Sequence, residues 1–273
     1  MAELAGPLVL VGCGKMGSAL LRGWLAHGLP AADVFVVEPD AGVRDQLRAR
    51  HGVVAVAEAK ALPADLRPRA LVVAIKPQSM AAVLPAYRGL APSGAVILSI
   101  AAGTAIARFE AAFGEGTPVV RAMPNTPAAI GHGVATLYAN RHVSAEQKQL
   151  CETLMAAVGR VHWIDDEDHE HAITAMSGGG PAYVFLLIET LAKAGIASGL
   201  PEDLAFALAR ATVAGSGALA AHSEESIELL RQNVTSPGGT TQAALEVLMA
   251  SDGIQPLFDR AIAAGTARSR ELA

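Results

Sequence analysis

LVLVGCGKMGSALLRGWLAHG, residues 8–28, is the stretch of this sequence that decides the fold. Four apolar residues form a predicted strand, the glycine-rich turn GCGKMG follows, and an apolar-periodic helix comes directly after it. A strand that turns sharply into a helix needs glycine for the tight turn, for the approach of a phosphate to the backbone, and for close packing of helix on strand. The spacing of Gly12, Gly14 and Gly17 therefore predicts the start of a dinucleotide-binding fold rather than a plain turn.

Apolar strands alternate with helical patterns from this turn to about Ile164. The predicted strands are Leu8–Val11, Val34–Glu38, Val53–Val56, Ala70–Ile75, Ala95–Ile100, Val119–Ala122, Val134–Tyr138 and Val161–Ile164. Helical stretches, among them Asp40–Arg50, Ser79–Tyr87 and Ala145–Ala157, separate most of these strands. Such alternation is typical of a doubly wound, mostly parallel sheet in the α/β class.

Strand signals stop after Asp165, and only helical patterns follow. The predicted helices are Pro181–Ser198, Pro201–Ala220, Glu224–Arg231, Thr240–Met249 and Gly253–Arg270. Proline is tolerated at a helix start, which agrees with the positions of Pro181 and Pro201. The sequence therefore predicts a Rossmann-like domain over residues 1–164 and an all-helical domain for dimerisation and substrate binding over residues 165–273.

The composition favours a soluble enzyme of the cytoplasm. A net charge of −5 provides no basic face for a nucleic acid. Cys13 and Cys151 are too few for a disulfide framework, which favours a reducing compartment. The longest uncharged run, Ala172–Ile188, is interrupted by three glycines and a proline, and we expect it to fall short of a membrane-spanning helix. The sequence predicts neither a nucleic-acid partner nor a membrane.

The helical part is apolar around most of its surface, as in YVFLLIETLAKAGIASGL and LAFALARATVAGSGALA. A helix that is apolar all round must be covered on every side. A region of this size cannot cover such helices by itself, so we predict a homodimer or a higher assembly of dimers. The alternative is a small bundle with a crowded core.

Five motifs in this order and spacing resemble pyrroline-5-carboxylate reductase, the last enzyme of proline synthesis. They are GCGKMG, VAIKPQ (Val73–Gln78), RAMPNTPAAIGHG (Arg121–Gly133), SGGGPAY (Ser177–Tyr183) and VTSPGGTT (Val234–Thr241). The resemblance spans about residues 8–270, and the last motif is the most specific. The motif SGGGPAY departs from the family pattern at Gly179, where a serine is usual. Any role of that serine hydroxyl is therefore absent from this protein.

The resemblance implies reduction of 1-pyrroline-5-carboxylate, a small cyclic imino acid, by NADPH or NADH without a metal. It also implies an active site between the cofactor of one subunit and the helical domain of the other. The candidate cofactor-binding residues are Gly12, Cys13, Gly14, Lys15, Met16, Gly17, Glu38, Ala74, Ile75, Lys76, Pro77, Met123, Asn125 and Thr126. Lys76 is also open to interpretation as a surface lysine, and MPNTP as a rigid turn.

SPGGTT begins a predicted helix at Thr240 and supplies free backbone N–H groups, two glycines and three hydroxyls. Such a helix start is suited to a carboxylate without any arginine. The candidate substrate-binding residues are Ser236, Gly238, Gly239, Thr240 and Thr241. The resemblance points the hydroxyl of Thr241 at the ring nitrogen and makes it the candidate catalytic residue, either as a proton donor or by orienting a protonated iminium. A loop before a capped helix is the structural alternative.

Glu38 ends the second predicted strand about 21 residues after Gly17, where an acidic side chain usually accepts the ribose hydroxyls of NAD. Its charge would repel the 2′-phosphate of NADPH, although Arg44 lies near enough in sequence to offset part of that repulsion. We therefore predict that NADH is used at least as efficiently as NADPH. The alternative is that Glu38 points to solvent and decides nothing.

The acidic run DDEDHEH (Asp165–His171) has metal-ligating residue types, but an acidic helix start explains it and we predict no metal site.

Two other functions remain open at this point. A β-hydroxyacid dehydrogenase shares the glycine turn, yet it resembles a family with a lysine near an asparagine in the second domain, whereas Lys193 here has no asparagine nearby. A non-catalytic nucleotide sensor on the same fold is the second alternative.

Overall fold

The computed structural model describes residues 6–272, apart from the side chains of residues 91–93. Within them the chain forms an eight-stranded sheet and a series of helices. The strands are β1 (Leu8–Val11), β2 (Val34–Val37), β3 (Val54–Val56), β4 (Ala70–Val73), β5 (Val96–Ser99), β6 (Val119–Pro124), β7 (Gly133–Ala139) and β8 (Gly159–Trp163). The α-helices are α1 (Lys15–Ala26), α2 (Ala41–His51), α3 (Met80–Val83), α4 (Ile106–Phe113), α5 (Ala145–Ala156), α6 (His169–Ile173), α7 (Gly180–Ala197), α8 (Glu202–His222), α9 (Ile227–Asn233), α10 (Thr240–Leu248) and α11 (Ile254–Leu272).

The sheet has the strand order β3-β2-β1-β4-β5-β6-β7-β8. Its first six strands are parallel and follow the Rossmann order. Strand β7 is antiparallel to β6, because residues 125–132 are too few for the crossover that a parallel neighbour needs. The predicted α/β class, with a doubly wound and mostly parallel sheet, is confirmed.

Seven of the eight strands differ from their predicted limits by one or two residues, and the changes in β4 and β6 bear on the candidate site. Strand β4 ends at Val73 instead of Ile75, since the chain leaves the sheet before Pro77 begins a short 3₁₀ turn. Strand β6 continues past Ala122, because Met123 and Pro124 pair with the antiparallel strand β7. A lengthened β6 carries the Met123 side chain beyond the ends of its parallel neighbours.

Both faces of the sheet are buried. One hydrophobic cluster contains Leu10, Trp24 and Leu154, and the opposite face contributes Val9 and Phe109 to a second cluster. Alternation along β1 sends neighbouring side chains into different clusters, as expected for a sheet covered on both sides. The indole N–H of Trp24 donates to the backbone oxygen of Leu154 at 2.8 Å, so this tryptophan is a core residue with a satisfied polar atom.

The chain divides into two compact units, one running to Gly178 and resuming at Gly265, the other being Gly179–Ala264. The first unit thus includes residues 165–178, which the sequence assigned to the helical domain. Their side chains bind the sheet through Glu170–Thr136 and Glu167–Arg121 bonds. The limits 1–164 and 165–273 remain a prediction, and residues 1–5 and 273 of those ranges lie outside the described residues.

The uncharged run at residues 172–188 does not break at its glycines, contrary to the sequence prediction. The turn Thr174–Gly178 is a π-helix, and Pro181 occupies the first turn of α7, where its missing N–H costs little. A continuous helix of His169–Ala197 results. By length and composition alone, this helix and Glu202–His222 are long and apolar enough to cross a membrane.

The second compact unit has a small internal core. Ala192 on α7 packs with Ala205 and Ala209 on α8, and Ile188 and Phe206 lie at the edge of this cluster. Many larger apolar side chains of the unit remain exposed in the single chain, including Val184, Phe185, Leu186, Leu187, Leu208, Leu219, Ile227, Val234, Val247, Leu248, Met249 and Leu257. An exposed apolar surface of this extent marks an interaction site.

Candidate active site

The carboxyl ends of the parallel strands lie side by side at one edge of the sheet. Val37, Val11 and Val73 are neighbours in register, and Val73 pairs in turn with Ser99 of β5. The residues that follow continue the alignment, since Gly12 N–H donates to Val37 O and Ala74 N–H donates to Val11 O. Ligands of open α/β sheets bind in the crevice beyond this edge.

The glycine turn has the geometry that its sequence predicts. Gly12 has a φ of +85°, and a Cβ atom there would lie 2.8 Å from Ile75 and 2.9 Å from the Ala74 backbone oxygen. A Cβ on Gly17 would lie 2.5 Å from Gly12 O, so both positions need glycine. Gly14 differs, because a Cβ there would meet nothing within 4 Å. The turn is closed toward the protein and open at Gly14.

Helix α1 begins at this turn without a side-chain cap. Gly14 is its N-cap, and the first turn holds Lys15 and Met16 and no acidic residue. The first N–H groups of a helix have no partner within the helix and carry positive partial charge. Lys15 is exposed beside them. This end of α1 therefore offers donors and positive charge to an anion.

Glu38 does not point freely to solvent. Its Oε2 accepts from the Cys13 backbone N–H at 2.9 Å, and its Oε1 accepts from the Asp40 N–H at 3.1 Å. Arg44 donates through Nη1 to the backbone oxygens of Glu38 and Pro39 at 2.8 and 2.7 Å. The carboxylate thus lies against the glycine turn, while the guanidinium is held on the chain after β2.

Cys13 is buried, and its Sγ lies 3.4 Å from the hydroxyl of Ser18. Burial raises the pKa of this thiol, the Ser18 contact opposes the rise, and the Glu38 charge adds to it. A thiol with a raised pKa has little thiolate and little reactivity. The side chain of Cys13 is structural, whereas its backbone N–H belongs to the candidate site.

The residues after β4 meet the glycine turn from the other side. The atoms nearest to a Cβ built on Gly12 belong to Ala74 and Ile75. Lys76 is exposed, and Pro77 begins the next 3₁₀ turn. The structure therefore brings Ala74 and Ile75 against Gly12 and leaves Lys76 exposed at the same edge, and cofactor binding by these residues stays a prediction.

MPNTP continues directly from β6. Met123 is buried, Asn125 is half-buried and Thr126 is exposed. Asn125 accepts through Oδ1 from Val134 N–H at 3.0 Å and donates through Nδ2 to the backbone oxygen of Ser177 at 3.4 Å. The amide of Asn125 thus joins two chain segments, which is more than a rigid turn requires.

SPGGTT forms the turn before α10. Gly238 has a φ of +69°, and Gly239 N–H donates to Ser236 O at 3.0 Å, which closes the turn. Gly239 is the N-cap of α10, and the helix begins without a side-chain cap or an acidic residue in its first turn. Thr240 and Thr241 are exposed. The segment therefore has a helix start without a side-chain cap and two exposed threonines.

The acidic run of residues 165–171 does not converge on one point. Glu167 binds Arg121, Glu170 binds Thr136, and Asp168 binds Arg270 at 2.7 Å. His171 lies 3.0 Å from the Ser269 hydroxyl. Among the described residues no group of three or more His, Cys, Asp or Glu side chains is placed to hold a metal ion.

Sequence reasoning missed a buried group of charges behind this edge. Arg121 is 2% exposed and Glu170 is 0% exposed, each far from the water that charged groups need. Burial raises the pKa of Glu170 to about 7, and Arg121 and the Thr136 hydrogen bond oppose that rise. The available signal was a charged residue in the otherwise apolar strand VVRAMP.

Fold, glycine turn and uncapped helix start together define a dinucleotide-binding protein of the Rossmann class with a separate helical part. Residues 167–272 match the family described as pyrroline-5-carboxylate reductase dimerisation, and residues 7–103 match NADP oxidoreductase, coenzyme F420-dependent. The chain is 40% identical to the pyrroline-5-carboxylate reductase of Pseudomonas aeruginosa, over 97% of this chain and 96% of that protein.

Two solved structures agree. The pyrroline-5-carboxylate reductase of Coxiella burnetii superposes with a TM-score of 0.93 at 33% identity, covering 98% of both chains. The pyrroline carboxylate reductase of Plasmodium falciparum, solved with NADP bound, superposes with a TM-score of 0.80 at 28% identity, also over 98% of both chains. The chain belongs to the pyrroline-5-carboxylate reductase family. This membership confirms the resemblance and replaces the β-hydroxyacid dehydrogenase alternative.

Proposed function

We propose that the protein reduces 1-pyrroline-5-carboxylate to L-proline with NADH or NADPH, as a cytoplasmic enzyme of proline biosynthesis. The observation that carries the proposal is the similarity to pyrroline-5-carboxylate reductases along nearly the whole chain, joined to a glycine turn in which Gly12 and Gly17 have no room for a side chain. Both cysteines are buried free thiols, in keeping with a reducing compartment.

The residues at the sheet edge fit a nicotinamide dinucleotide. Gly14 leaves open space where a phosphate needs to approach, and the uncapped start of α1 supplies N–H donors and positive partial charge. Glu38 lies where the ribose of the adenosine half would be held, and Ala74 to Pro77 follow along the edge. Met123, Asn125 and Thr126 would lie at the nicotinamide end. The cofactor supplies the hydride.

The substrate carboxylate would bind at the start of α10. The uncapped N–H groups of α10 and the hydroxyls of Ser236, Thr240 and Thr241 would form an anion-binding site. Gly238 and Gly239 would let the carboxylate approach the backbone closely. This arrangement needs no guanidinium. Positioning is the main task here, because hydride transfer requires the imine carbon within about 3 to 3.5 Å of the donor.

Thr241 would bond the ring nitrogen of the imine. A hydroxyl both donates and accepts, so it is able to orient either the neutral imine or the protonated iminium. In the overall reaction the imine carbon gains a hydride, the nitrogen gains a proton, and the C=N bond becomes CH–NH. A threonine hydroxyl is a weak acid, so orientation rather than net proton release is the role that its chemistry favours.

A second copy of the chain would cover the exposed apolar helices. The protein is a homo-oligomer by family, and the matched dimerisation region spans the helices that its own chain leaves uncovered. We propose a dimer through this surface, with higher assemblies of dimers as a further step. The same apolar surface explains why α8 has the composition of a membrane helix without requiring a membrane. An active site shared with the partner subunit stays a prediction.

The test is a coupled measurement of substrate and cofactor. Purified protein is expected to oxidise NADH or NADPH only when pyrroline-5-carboxylate is present, and to keep its full rate in EDTA. Proline formation should equal cofactor oxidation mole for mole. Activity on 3-hydroxy acids in its place would overturn the proposal.

The same assay separates an enzyme from a nucleotide sensor. A sensor would bind NADH, as measured by its fluorescence, and give no turnover with the imine at any pH. Thr241→Ala is the matched control, because it should abolish most turnover and leave cofactor binding unchanged. Turnover that is indifferent to this substitution would exclude Thr241 from the mechanism.

A further inference from the structure

Four side chains form a group beside the turn Thr174–Gly178, and we call them the Glu170 cluster: Arg121 and Glu170, which are buried, and Thr136 and Glu167, which are half-buried. The Thr136 hydroxyl donates to Oε1 of Glu170 at 3.0 Å. Arg121 donates through Nη1 to Oε1 of Glu167 at 3.1 Å, and the same oxygen accepts from Ile106 N–H at 2.8 Å. The cluster therefore joins β6, β7 and α4 to the segment that begins α6.

Two atoms of the cluster are buried without a hydrogen-bond partner in the described part of the chain. They are Oε2 of Glu170 and Nη2 of Arg121. Buried polar atoms are nearly always paired, so an unpaired carboxylate oxygen and an unpaired guanidinium nitrogen in one cluster need an explanation. A structural anchor alone would be more stable with both atoms bonded.

The cluster is connected to the candidate nicotinamide end by short paths. Thr136 is the register partner of Met123 across β6 and β7. Glu170 lies one helical turn before Thr174, where the π-helix begins. At the far end of that turn Ser177 O accepts from Asn125, and Gly178 lies so close to the Met123 methyl that a Cβ atom would overlap it.

We propose that Glu170 is a positioning residue for the reduction, which sets how the turn Thr174–Gly178 lies on Met123 and Asn125. The proposal rests on the function proposed above. Glu170 is held to the sheet by Thr136 and is 0% exposed, so it would act through its neighbours rather than on a ligand directly. Its effect passes through the π-turn, a wide turn of a kind that is frequent at functional sites.

Ionisation of Glu170 changes the forces within the cluster. Burial raises the pKa of this carboxyl to about 7; Arg121 and the Thr136 hydrogen bond oppose the rise, and Glu167 adds to it. The charged form is attracted to Arg121 and repelled by Glu167, whereas the neutral form is not. Helix α11 also packs near this segment, and its charged and polar groups have other partners: Arg270 binds Asp168, and Ser269 binds His171. The position of the turn Thr174–Gly178 on Met123 and Asn125 should therefore depend on pH near neutrality.

The experiment compares wild type with Glu170→Gln, which keeps the shape and an acceptor for Thr136 but cannot ionise. We measure kcat and KM for pyrroline-5-carboxylate across about pH 5.5 to 9, and the Kd of NADH at each pH by fluorescence. Wild type should show an inflection near pH 7 in kcat and in Kd. Glu170→Gln should lack this inflection. At pH values above the inflection its kcat should be about 5- to 30-fold lower than that of wild type, with the substrate KM within about twofold.

Thr136→Val gives a second, independent prediction. It removes a hydrogen bond that lowers the pKa of Glu170, so the inflection should move to higher pH and remain visible. Thr136→Ser should restore the wild-type profile. The matched control is Asp168→Asn, which removes an exposed carboxylate of the same segment from its pair with Arg270 and should leave the profile unchanged.

The outcomes decide the proposal in every case. An inflection that survives in a folded Glu170→Gln, or a Thr136→Val profile that matches wild type, would overturn it. If wild type gives no turnover with the imine, the proposed function fails by itself. The NADH titration then decides the positioning role: an inflection in Kd that Glu170→Gln abolishes supports it, and a Kd independent of pH in wild type contradicts it.

Discussion

The Cys13 backbone N–H donates a 2.9 Å hydrogen bond to Oε2 of Glu38. This bond joins the glycine turn to the end of β2, two segments that are 25 residues apart. A carboxylate in this place holds negative charge against the loop that would bind the cofactor phosphates. In NAD-binding folds an acidic residue at this place accepts hydrogen bonds from the ribose hydroxyls, and we expect the same of Glu38.

Replacing Glu38 should change cofactor preference. Wild type is expected to use NADH at least as efficiently as NADPH, and Glu38→Ser should shift the ratio of kcat/KM toward NADPH by about 5- to 30-fold, or roughly 1 to 2 kcal/mol. The reason is the loss of a charge that repels a 2′-phosphate. Steady-state kinetics with both cofactors measures the shift.

Asp40→Ser is the control for that prediction. It removes a carboxylate two residues further on, while serine can still cap α2 in place of the Asp40 bond to Val43 N–H. The cofactor ratio should then stay at the wild-type value. A wild-type preference for NADPH that Glu38→Ser leaves unchanged would mean that Glu38 does not select the cofactor.

Removal of the Thr241 hydroxyl should slow catalysis more than binding. Thr241→Ala is expected to lower kcat/KM by about 10- to 1000-fold, because the hydrogen bond proposed between the threonine hydroxyl and the ring nitrogen strengthens as the amine forms. The Kd of NADH should stay close to wild type. Thr241→Ser keeps the hydroxyl and should retain most of the activity. Near-normal kinetics in the alanine variant would exclude Thr241 from the mechanism.

The apolar surface of the second compact unit should hold subunits together. We expect at least a dimer at about micromolar concentration, and dilution should reduce activity and folded structure together, since obligate dimers seldom keep a stable monomer. Phe185→Asp changes a side chain that is 59% exposed in the single chain, so a large effect requires a partner. Light scattering and circular dichroism measure both properties.

Val54→Asp provides the comparison for assembly. Val54 is also an exposed apolar residue, but it lies on the edge strand β3, outside the matched dimerisation region. It should change neither mass nor activity by a comparable amount. A fully active monomer of wild type, or a Phe185→Asp variant of unchanged mass, would contradict the assembly prediction.

Glu170 should make the folded state less stable as the pH rises. Its pKa is about 7 in the folded protein against an ordinary value of 4.5, so the folded protein binds this proton more tightly than the unfolded chain. Its stabilising contribution is complete below about pH 4.5 and is lost as the pH rises through about 7. Glu170→Gln should remove this dependence.

Above that range the variant should be more stable than wild type by up to roughly 3 kcal/mol, the free energy that corresponds to this change in pKa. Near pH 4.5 the two proteins should be alike. Urea unfolding at matched protein concentration and several pH values measures the difference. A free-energy difference that is constant with pH would show that Glu170 does not titrate in this range.

The sequence by itself determined the strands, the glycine turn and the order of elements. Each depends on neighbours along the chain: apolar alternation predicts a buried strand, and a strand followed by GCGKMG predicts a tight turn into a helix. Those signals are local. Because neighbouring parallel strands end together, the residues that follow β1, β2 and β4 lie at one edge of the sheet. Family membership followed from motifs that are equally local.

Only the tertiary structure decided which charged residues are buried together and how the helical run at residues 169–197 continues. Glu170 has its partner 34 residues away at Thr136, and Arg121 meets Glu167 at a separation of 46. A sequence pattern shows such residues as parts of an acidic run and an apolar strand, since burial and pairing depend on packing between distant segments. For the same reason the SGGG segment, whose glycines predict a helix break, continues the helix: Gly178 ends a wide π-turn that fits against Met123, and Gly180 begins α7.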